Sequence, residues 1–294
     1  MRVKTHYSPR RTGVLCLVSG LLMTAARLAL GDDARGSYLL TNEHVDLKVI
    51  LAPEGTNLLQ LVFRDHLQSV DRPTRETVVR VPETARLTIP EGFEAVGPAG
   101  SDLWVLPAGQ DPRLLYLGFS TEGLNLPPQS LELFARRVDG PAQFALWQFD
   151  GTGGLSVTFQ SRDGLDETDR LRLPTGAHQH HNVGLSKPGL TTVWLQVRAT
   201  VGGTNAWSPE TPVLFAVDPL PKEPVRLGIG PGPSEERWRL SISGTPGQAV
   251  TLEESIDLIH WTQRPALTNG FQPIQIPVAS TQDSPARFFR VHSP

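Results

Sequence analysis

The chain has 294 residues and a formal net charge of −3 at pH 7, with 39% hydrophobic and 19% charged residues. This balance excludes a disordered chain and argues against a nucleic-acid-binding protein, which would carry a basic patch. The 27 glycines and 26 prolines are spread along the chain, as is typical of many short strands joined by tight turns. No stretch shows helical periodicity over three turns, so the sequence predicts an all-β protein.

The first 31 residues predict a secretory signal peptide. Basic residues up to Arg11 precede an apolar run over 13–26, which is too short to span a bilayer, and small residues near Gly31 suit cleavage before Asp32. Cleavage there would remove five basic residues and no carboxylate, which makes the mature chain more acidic. We expect an exported protein, in the periplasm, at the cell surface or outside the cell, without a transmembrane segment.

The single cysteine, Cys16, lies inside the apolar run of this predicted signal. Leu15 precedes it, where a lipoprotein signal would have a small residue, so lipidation is not expected. The mature chain would then have no cysteine. Disulfides, thiolate metal sites and a cysteine nucleophile are therefore excluded.

Alternation from His44 to Leu51 predicts a half-buried strand. It places His44, Asp46 and Lys48 on one face and the intervening apolar residues on the other. A turn at 53–57 and an apolar run over 58–65 predict an antiparallel partner for this strand.

The chain continues in the same style after His66, which follows the end of the second strand. Residues 67–101 predict short edge strands and loops, and a hairpin is expected over 144–160. Further strands are predicted at 103–106, 114–119, 131–138, 171–173, 191–201 and 213–217. The loop over 161–169 holds four carboxylates without the ligand spacing of an EF-hand, so a polar turn is favoured over a calcium loop.

Three prolines within 218–224 predict an extended linker between two domains. The signal peptide over 1–31 is thus followed by a large β-sandwich-like domain over 32–217 and a small β-sandwich-like module over 225–294. In the small module, Asn269-Gly270 predicts a two-residue hairpin.

Three histidines lie within four residues just before the long strand at 191–201. On a strand, His178 and His180 project to one face about 7 Å apart at the backbone, whereas His181 points to the other face. His44 and Asp46 show the same spacing, so two adjacent strands could offer these four side chains to one divalent ion. Such a mixed nitrogen and oxygen set suits zinc first, then manganese or iron.

Other interpretations of these residues stay open. The histidines could form a solvated, hydrogen-bonded polar face, Asn182 could cap backbone groups, and Asp46 could orient an imidazole instead of binding the ion. A metal-dependent hydrolase is a minor alternative, because no carboxylate other than Glu43 or Asp46 lies near a ligand in sequence to act as general base. No G-x-S-x-G elbow is present, and we assign no catalytic residue.

The motifs around these histidines resemble a known family, the bacterial surface-anchored repeat or choice-of-anchor M domain, over residues 38–200. The resemblance is carried by Gly176-Ala177-His178-x-His180-x-Asn182, Lys187-Pro188-Gly189, His44-Val45-Asp46-Leu47, Trp104-Val105-Leu106-Pro107, Leu117-Gly118-Phe119-Ser120 and Val138-x-Gly140-Pro141-x-x-Phe144.

The resemblance implies an exported cell-surface protein whose partners are cell-surface or metal-uptake components. No enzymatic activity comes with the resemblance, and we expect a protein that is not an enzyme. It also implies that His44, Asp46, His178, His180 and Asn182 form the polar signature of the domain. The sequence departs from the family after the histidines, where Val183 and Leu185 replace aromatic residues.

The C-terminal segment resembles an accessory or adhesive β module of secreted bacterial proteins. The resemblance rests on Leu252-Glu253-x-Ser255-x-Asp257-Leu258-x-x-Trp261 and Arg287-Phe288-Phe289-Arg290-Val291. The sequence thus predicts an exported protein that binds a divalent metal ion, and the alternative is a structural or adhesive surface protein without a metal.

Overall fold

The structure, a computed structural model, describes residues 38–52, 59–127, 131–232, 238–278 and 286–293. The predicted signal peptide at 1–31 and the predicted turn at 53–57 lie outside these residues. The described chain forms two compact units, one ending at Leu220 and the other beginning at Pro221. No helix in the described ranges has the length and apolarity needed to cross a membrane.

The larger unit consists of three β-sheets. Its strands are β1 (Tyr38–Leu40), β2 (His44–Leu51), β3 (Leu59–Asp65), β4 (Val70–Pro73), β5 (Thr77–Val81), β6 (Arg86–Thr88), β7 (Asp102–Leu106), β8 (Tyr116–Ser120), β9 (Leu131–Asp139), β10 (Phe144–Phe149), β11 (Leu155–Gln160), β12 (Arg170–Leu173), β13 (His178–His180), β14 (Asn182–Leu185), β15 (Gly189–Val201), β16 (Thr204–Trp207) and β17 (Thr211–Val217). The helical elements described are three-residue 3₁₀ turns at Thr74–Glu76, Glu83–Ala85 and Glu94–Val96. The prediction of an all-β, sandwich-like fold is confirmed.

A seven-stranded sheet has the order β1-β5-β17-β15-β9-β12, with β16 paired to β15. A five-stranded sheet has the order β11-β10-β14-β7-β6. A second five-stranded sheet, here called the site sheet, has the order β13-β8-β2-β3-β4. One apolar core joins all three sheets, with Leu47 and Phe119 from the site sheet, Leu146 from β10 and Phe215 from the seven-stranded sheet.

The alternation predicted for β2 is observed. Val45, Leu47 and Val49 are buried in the core, and β2 pairs antiparallel with β3. The prediction that residues 67–101 form only edge strands and loops is wrong for β5. That strand lies between β1 and β17 and pairs parallel with both, because its residues other than Arg80 are buried and need partners on both sides.

The smaller unit is built from β18 (Arg226–Gly230), β19 (Trp238–Ser243), β20 (Ala249–Ser255), β21 (Thr262–Gln263), β22 (Leu267–Thr268), β23 (Ile274–Val278) and β24 (Phe288–His292). The strands form a sheet of order β18-β19-β23 and a second one in which β20 pairs with β21, β22 and β24. Leu240, Ile242, Leu252 and Phe289 pack in its core.

The predicted hairpin at Asn269-Gly270 is wrong. The strands on either side of it, β22 and β23, pair with β20 and β19 instead of with each other. Asn269 is buried and ties the chain to the preceding loop, since its N–H donates to Gln248 O and its carbonyl accepts from Gly247 N–H. A tight hairpin turn would have paired β22 with β23. The backbone of Asn269 instead forms its hydrogen bonds with residues 247 and 248.

Candidate metal centre

The candidate centre lies on the outer face of the site sheet, opposite the face that packs into the core. Within β13, His178 pairs with Ser120 of β8 and His180 pairs with Gly118. On the other side of β8, Asp46 of β2 pairs with the same Gly118. Residues that pair directly across strands project to the same face, so His180 and Asp46 face each other above Gly118.

Four donor groups converge at this position. One nitrogen from each of His44, His178 and His180 and one carboxylate oxygen of Asp46 all lie within 4.8 Å of one another. The Nε2 atoms of His178 and His180 are 3.0 Å apart, and Asp46 Oδ1 lies 3.0 Å from His178 Nε2 and 3.5 Å from His44 Nε2. The structure thus brings together the four side chains predicted from the sequence.

The sequence-based picture of two adjacent strands is corrected by the structure. β8 lies between β13 and β2, and the donors reach across it because Gly118 has no side chain. A Cβ at Gly118 would lie 2.1 Å from Asp46 Oδ1, 2.9 Å from His180 Cε1 and 3.0 Å from His178 Nε2. Gly118 is therefore the floor of the centre.

Asp46 is the most enclosed member of the group. Its side chain is 0% exposed, whereas those of His44 and His178 are 30% and 27% exposed. Within the described part of the chain, Asp46 Oδ1 and His44 Nε2 are buried without a hydrogen-bond partner. Such orphaned polar atoms are costly, so their convergence calls for a bound ligand to satisfy them.

Two of the three imidazoles favour the neutral form, which is the form that binds metals. Burial lowers the pKa of both His44 and His180, which favours the neutral rings. His180 Nδ1 donates to the carbonyl of Leu117 at 3.0 Å, which leaves its Nε2 lone pair directed at the cluster. Tyr116 stacks on the His180 ring with centroids 3.6 Å apart and fixes its plane.

His66 completes the surroundings of the centre and was not predicted as a site residue. Its Nε2 lies 2.8 Å from Asp46 Oδ2, and its ring stacks on His44 with centroids 4.3 Å apart. The backbone N–H of His66 also donates to the carbonyl of His44, one step beyond the Val45–Asp65 pair of the β2–β3 ladder.

His181 and Asn182 lie apart from the donor cluster. His181 faces the opposite side, as predicted, where its ring makes a T-shaped contact with that of Phe119 and burial lowers its pKa to about 4. Asn182 accepts a hydrogen bond from Ala108 N–H and donates one to Trp147 O. Asn182 therefore bonds to backbone groups, in line with the capping role considered for it from the sequence.

The acidic loop at 161–169 is a polar turn in the structure. Asp169 is buried and accepts from the backbone N–H groups of Gln160 and Asp166, while Asp166 accepts from the N–H and hydroxyl of Thr168. These carboxylates are used for local hydrogen bonds, as the spacing suggested.

Comparisons with known proteins found no match to this chain. No protein-family model matches the chain, and no curated protein matches it either. The resemblance to the choice-of-anchor M domain therefore stays a prediction that rests on its motifs. The class of site is defined by the structure: a His/Asp cluster that could hold a metal ion, in an all-β protein.

Proposed function

We propose that the larger unit binds one divalent metal ion, zinc, through His44, Asp46, His178 and His180. The observation that carries the proposal is the convergence of three imidazole nitrogens and a fully buried carboxylate oxygen within 4.8 Å. Tetrahedral zinc with ligands at about 2.0 Å would place its donors about 3.3 Å apart. Three of the six separations, at 3.0, 3.0 and 3.5 Å, lie close to that value, and all six are at most 4.8 Å.

Zinc is favoured over manganese and iron by the chemistry of the donor set. Three imidazoles and one carboxylate supply four donors, which is the number that tetrahedral zinc takes, whereas manganese prefers more oxygen ligands. A closed set of four also leaves no position for substrate. This supports binding in preference to hydrolysis, and we assign no catalytic residue.

The position of the cluster supports an exchangeable ion. The strands β2 and β8 are held in place by the apolar core, to which Val45, Leu47 and Phe119 belong. Their packing therefore does not depend on a bound ion. The side chains of His44 and His178 are 30% and 27% exposed, which gives solvent access to the donors. We propose that the ion is captured and released by a preformed fold.

We also propose that the protein acts outside the cytoplasm. The support for this is the basic and apolar pattern of the first 31 residues. The motif resemblance suggests cell-surface or metal-uptake components as partners. In the alternative function, a structural or adhesive surface protein, the histidines would serve hydrogen bonds alone.

Elemental analysis of the purified protein tests the proposal. The wild type is expected to hold one zinc per chain after dialysis, and the double variant His178→Ala/His180→Ala is expected to hold none. The matched control is His260→Ala/His292→Ala, which removes two histidines of the smaller unit and should keep the metal. Absence of metal in the wild type after incubation with zinc would refute metal binding and favour the structural alternative.

A further inference from the structure

The two oxygens of the Asp46 carboxylate have different surroundings. Oδ2 lies 2.8 Å from His66 Nε2, which is positioned to donate a hydrogen bond to it. Oδ1 accepts no hydrogen bond from the described residues and lies 3.0 Å from the nearest cluster nitrogen, His178 Nε2. One oxygen is therefore held by His66 and the other is free to bind an ion.

The orientation of His66 is fixed on two sides. Its backbone N–H is bonded to the carbonyl of His44, and its ring lies nearly parallel to those of His44 and His178, at 12° and 8°. The His66 side chain is 32% exposed and does not belong to the four converging donors. The ring is thus placed to orient the carboxylate without contacting the ion.

We propose that His66 is a specificity-determining positioning residue that keeps Asp46 a one-oxygen ligand and thereby selects zinc over manganese. The inference rests on the proposed function of the four donors. A carboxylate that rotated freely could offer both oxygens and raise the coordination number to five or more. With Oδ2 held by the His66 N–H, the donor set stays at four, which suits tetrahedral zinc and leaves manganese under-coordinated.

The experiment compares metal binding by the full chain and its variants, using Zn²⁺, Mn²⁺ and Co²⁺ salts alone as probes. His66→Phe removes the N–H donor but keeps a ring that can stack on His44. His66→Gln keeps an N–H donor. The matched control is His260→Phe, which removes another histidine that is bonded to an aspartate, Asp257, at 2.7 Å in the smaller unit.

In the wild type, bound Co²⁺ should give the intense visible absorption of a four-coordinate ion. In His66→Phe, zinc affinity should fall about 10–100-fold, and the zinc-to-manganese affinity ratio should fall with it. The Co²⁺ absorption of this variant should weaken as the coordination number rises. His66→Gln should restore most of the ratio and of the absorption, and His260→Phe should match the wild type.

Each contrary outcome overturns a different statement. An unchanged affinity ratio and Co²⁺ spectrum in His66→Phe would show that His66 has no part in selectivity, while the metal site itself would stand. If His66→Gln behaved like His66→Phe, the hydrogen bond would not be the cause. A wild type that binds none of the three metals would refute the metal site and this inference together. His66→Ala serves as the deletion variant if circular dichroism shows that His66→Phe is unfolded.

Discussion

A Cβ added to Gly118 would lie 2.1 Å from Oδ1 of Asp46, closer than two non-bonded atoms can approach. We therefore expect Gly118→Ala to weaken zinc binding by about 10–100-fold, although every donor remains, because Asp46 must turn away from the ion. The φ of Gly118 is not in the left-handed region, so the backbone itself tolerates alanine.

Titration of both proteins against a zinc-chelating dye measures this effect. Gly109→Ala is the matched control, since a Cβ there meets no atom within 4 Å and its φ is also outside the left-handed region. The control should bind zinc like the wild type. Unchanged binding by Gly118→Ala would contradict the placement of the ion above this residue.

Asp46→Asn should separate stability from metal binding. Without an ion, a fully buried carboxylate with an unpaired oxygen is destabilising, so the neutral amide should raise the stability of the metal-free protein by about 1–2 kcal/mol. Zinc at about 100 times the wild-type Kd should stabilise the wild type by about 2.7 kcal/mol and should stabilise the variant, which keeps three imidazole donors, by less.

Thermal unfolding in the presence of a chelator and with added zinc measures both effects of Asp46→Asn. A variant that is less stable than the metal-free wild type would show that the histidines already compensate the charge of Asp46. A variant that gains as much stability from zinc as the wild type would exclude Asp46 as a ligand.

His181 should make the protein less stable in acid. Its folded pKa of about 4 lies below the ordinary value of 6.5, so the unfolded chain takes up the proton first as the pH falls. Stability is thus lost progressively between about pH 6.5 and about pH 4, by at most about 3 kcal/mol, and is unaffected above this window.

Urea unfolding of the metal-free protein, in the presence of a chelator, measures the contribution of His181 to stability. His181→Leu removes the titrating ring, so its stability relative to the wild type should increase between neutral pH and the acid end of the window. A constant difference between the two proteins across that range would contradict the buried, neutral state of His181.

Asn182→Ala should destabilise the fold without removing the metal. The substitution leaves the backbone N–H of Ala108 and the carbonyl of Trp147 without their side-chain partner, at a cost of about 1–3 kcal/mol each. Zinc stoichiometry measured on the folded variant should remain at the wild-type value. Loss of the metal with intact secondary structure would instead place Asn182 among the groups that support the ion directly.

Local pattern was sufficient to predict β2, its pairing with β3 and the faces on which the ligands lie. Alternation alone separated His178 and His180 from His181, and it placed His44 beside Asp46. These features depend on the two-residue period of a strand, which requires no knowledge of distant segments.

The arrangement of strands could not be predicted in this way. Which strand lies beside β13 is decided by packing among three sheets, so the insertion of β8, and with it the role of Gly118, has no local signal. His66 did have a signal. The turn predicted at 53–57 is centred on residue 55, and pairing outward from that centre places His66 opposite His44.

The three-residue strand β13 lies at the edge of the site sheet, whereas β2 is paired on both sides. An ion shared by these strands would act as a cross-link from the interior of the sheet to its border. Separation of β13 from β8 and loss of the ion would then occur together, because His178 and His180 both lie on β13. Amide hydrogen exchange in β13 would report occupancy of the centre without any probe attached to the metal.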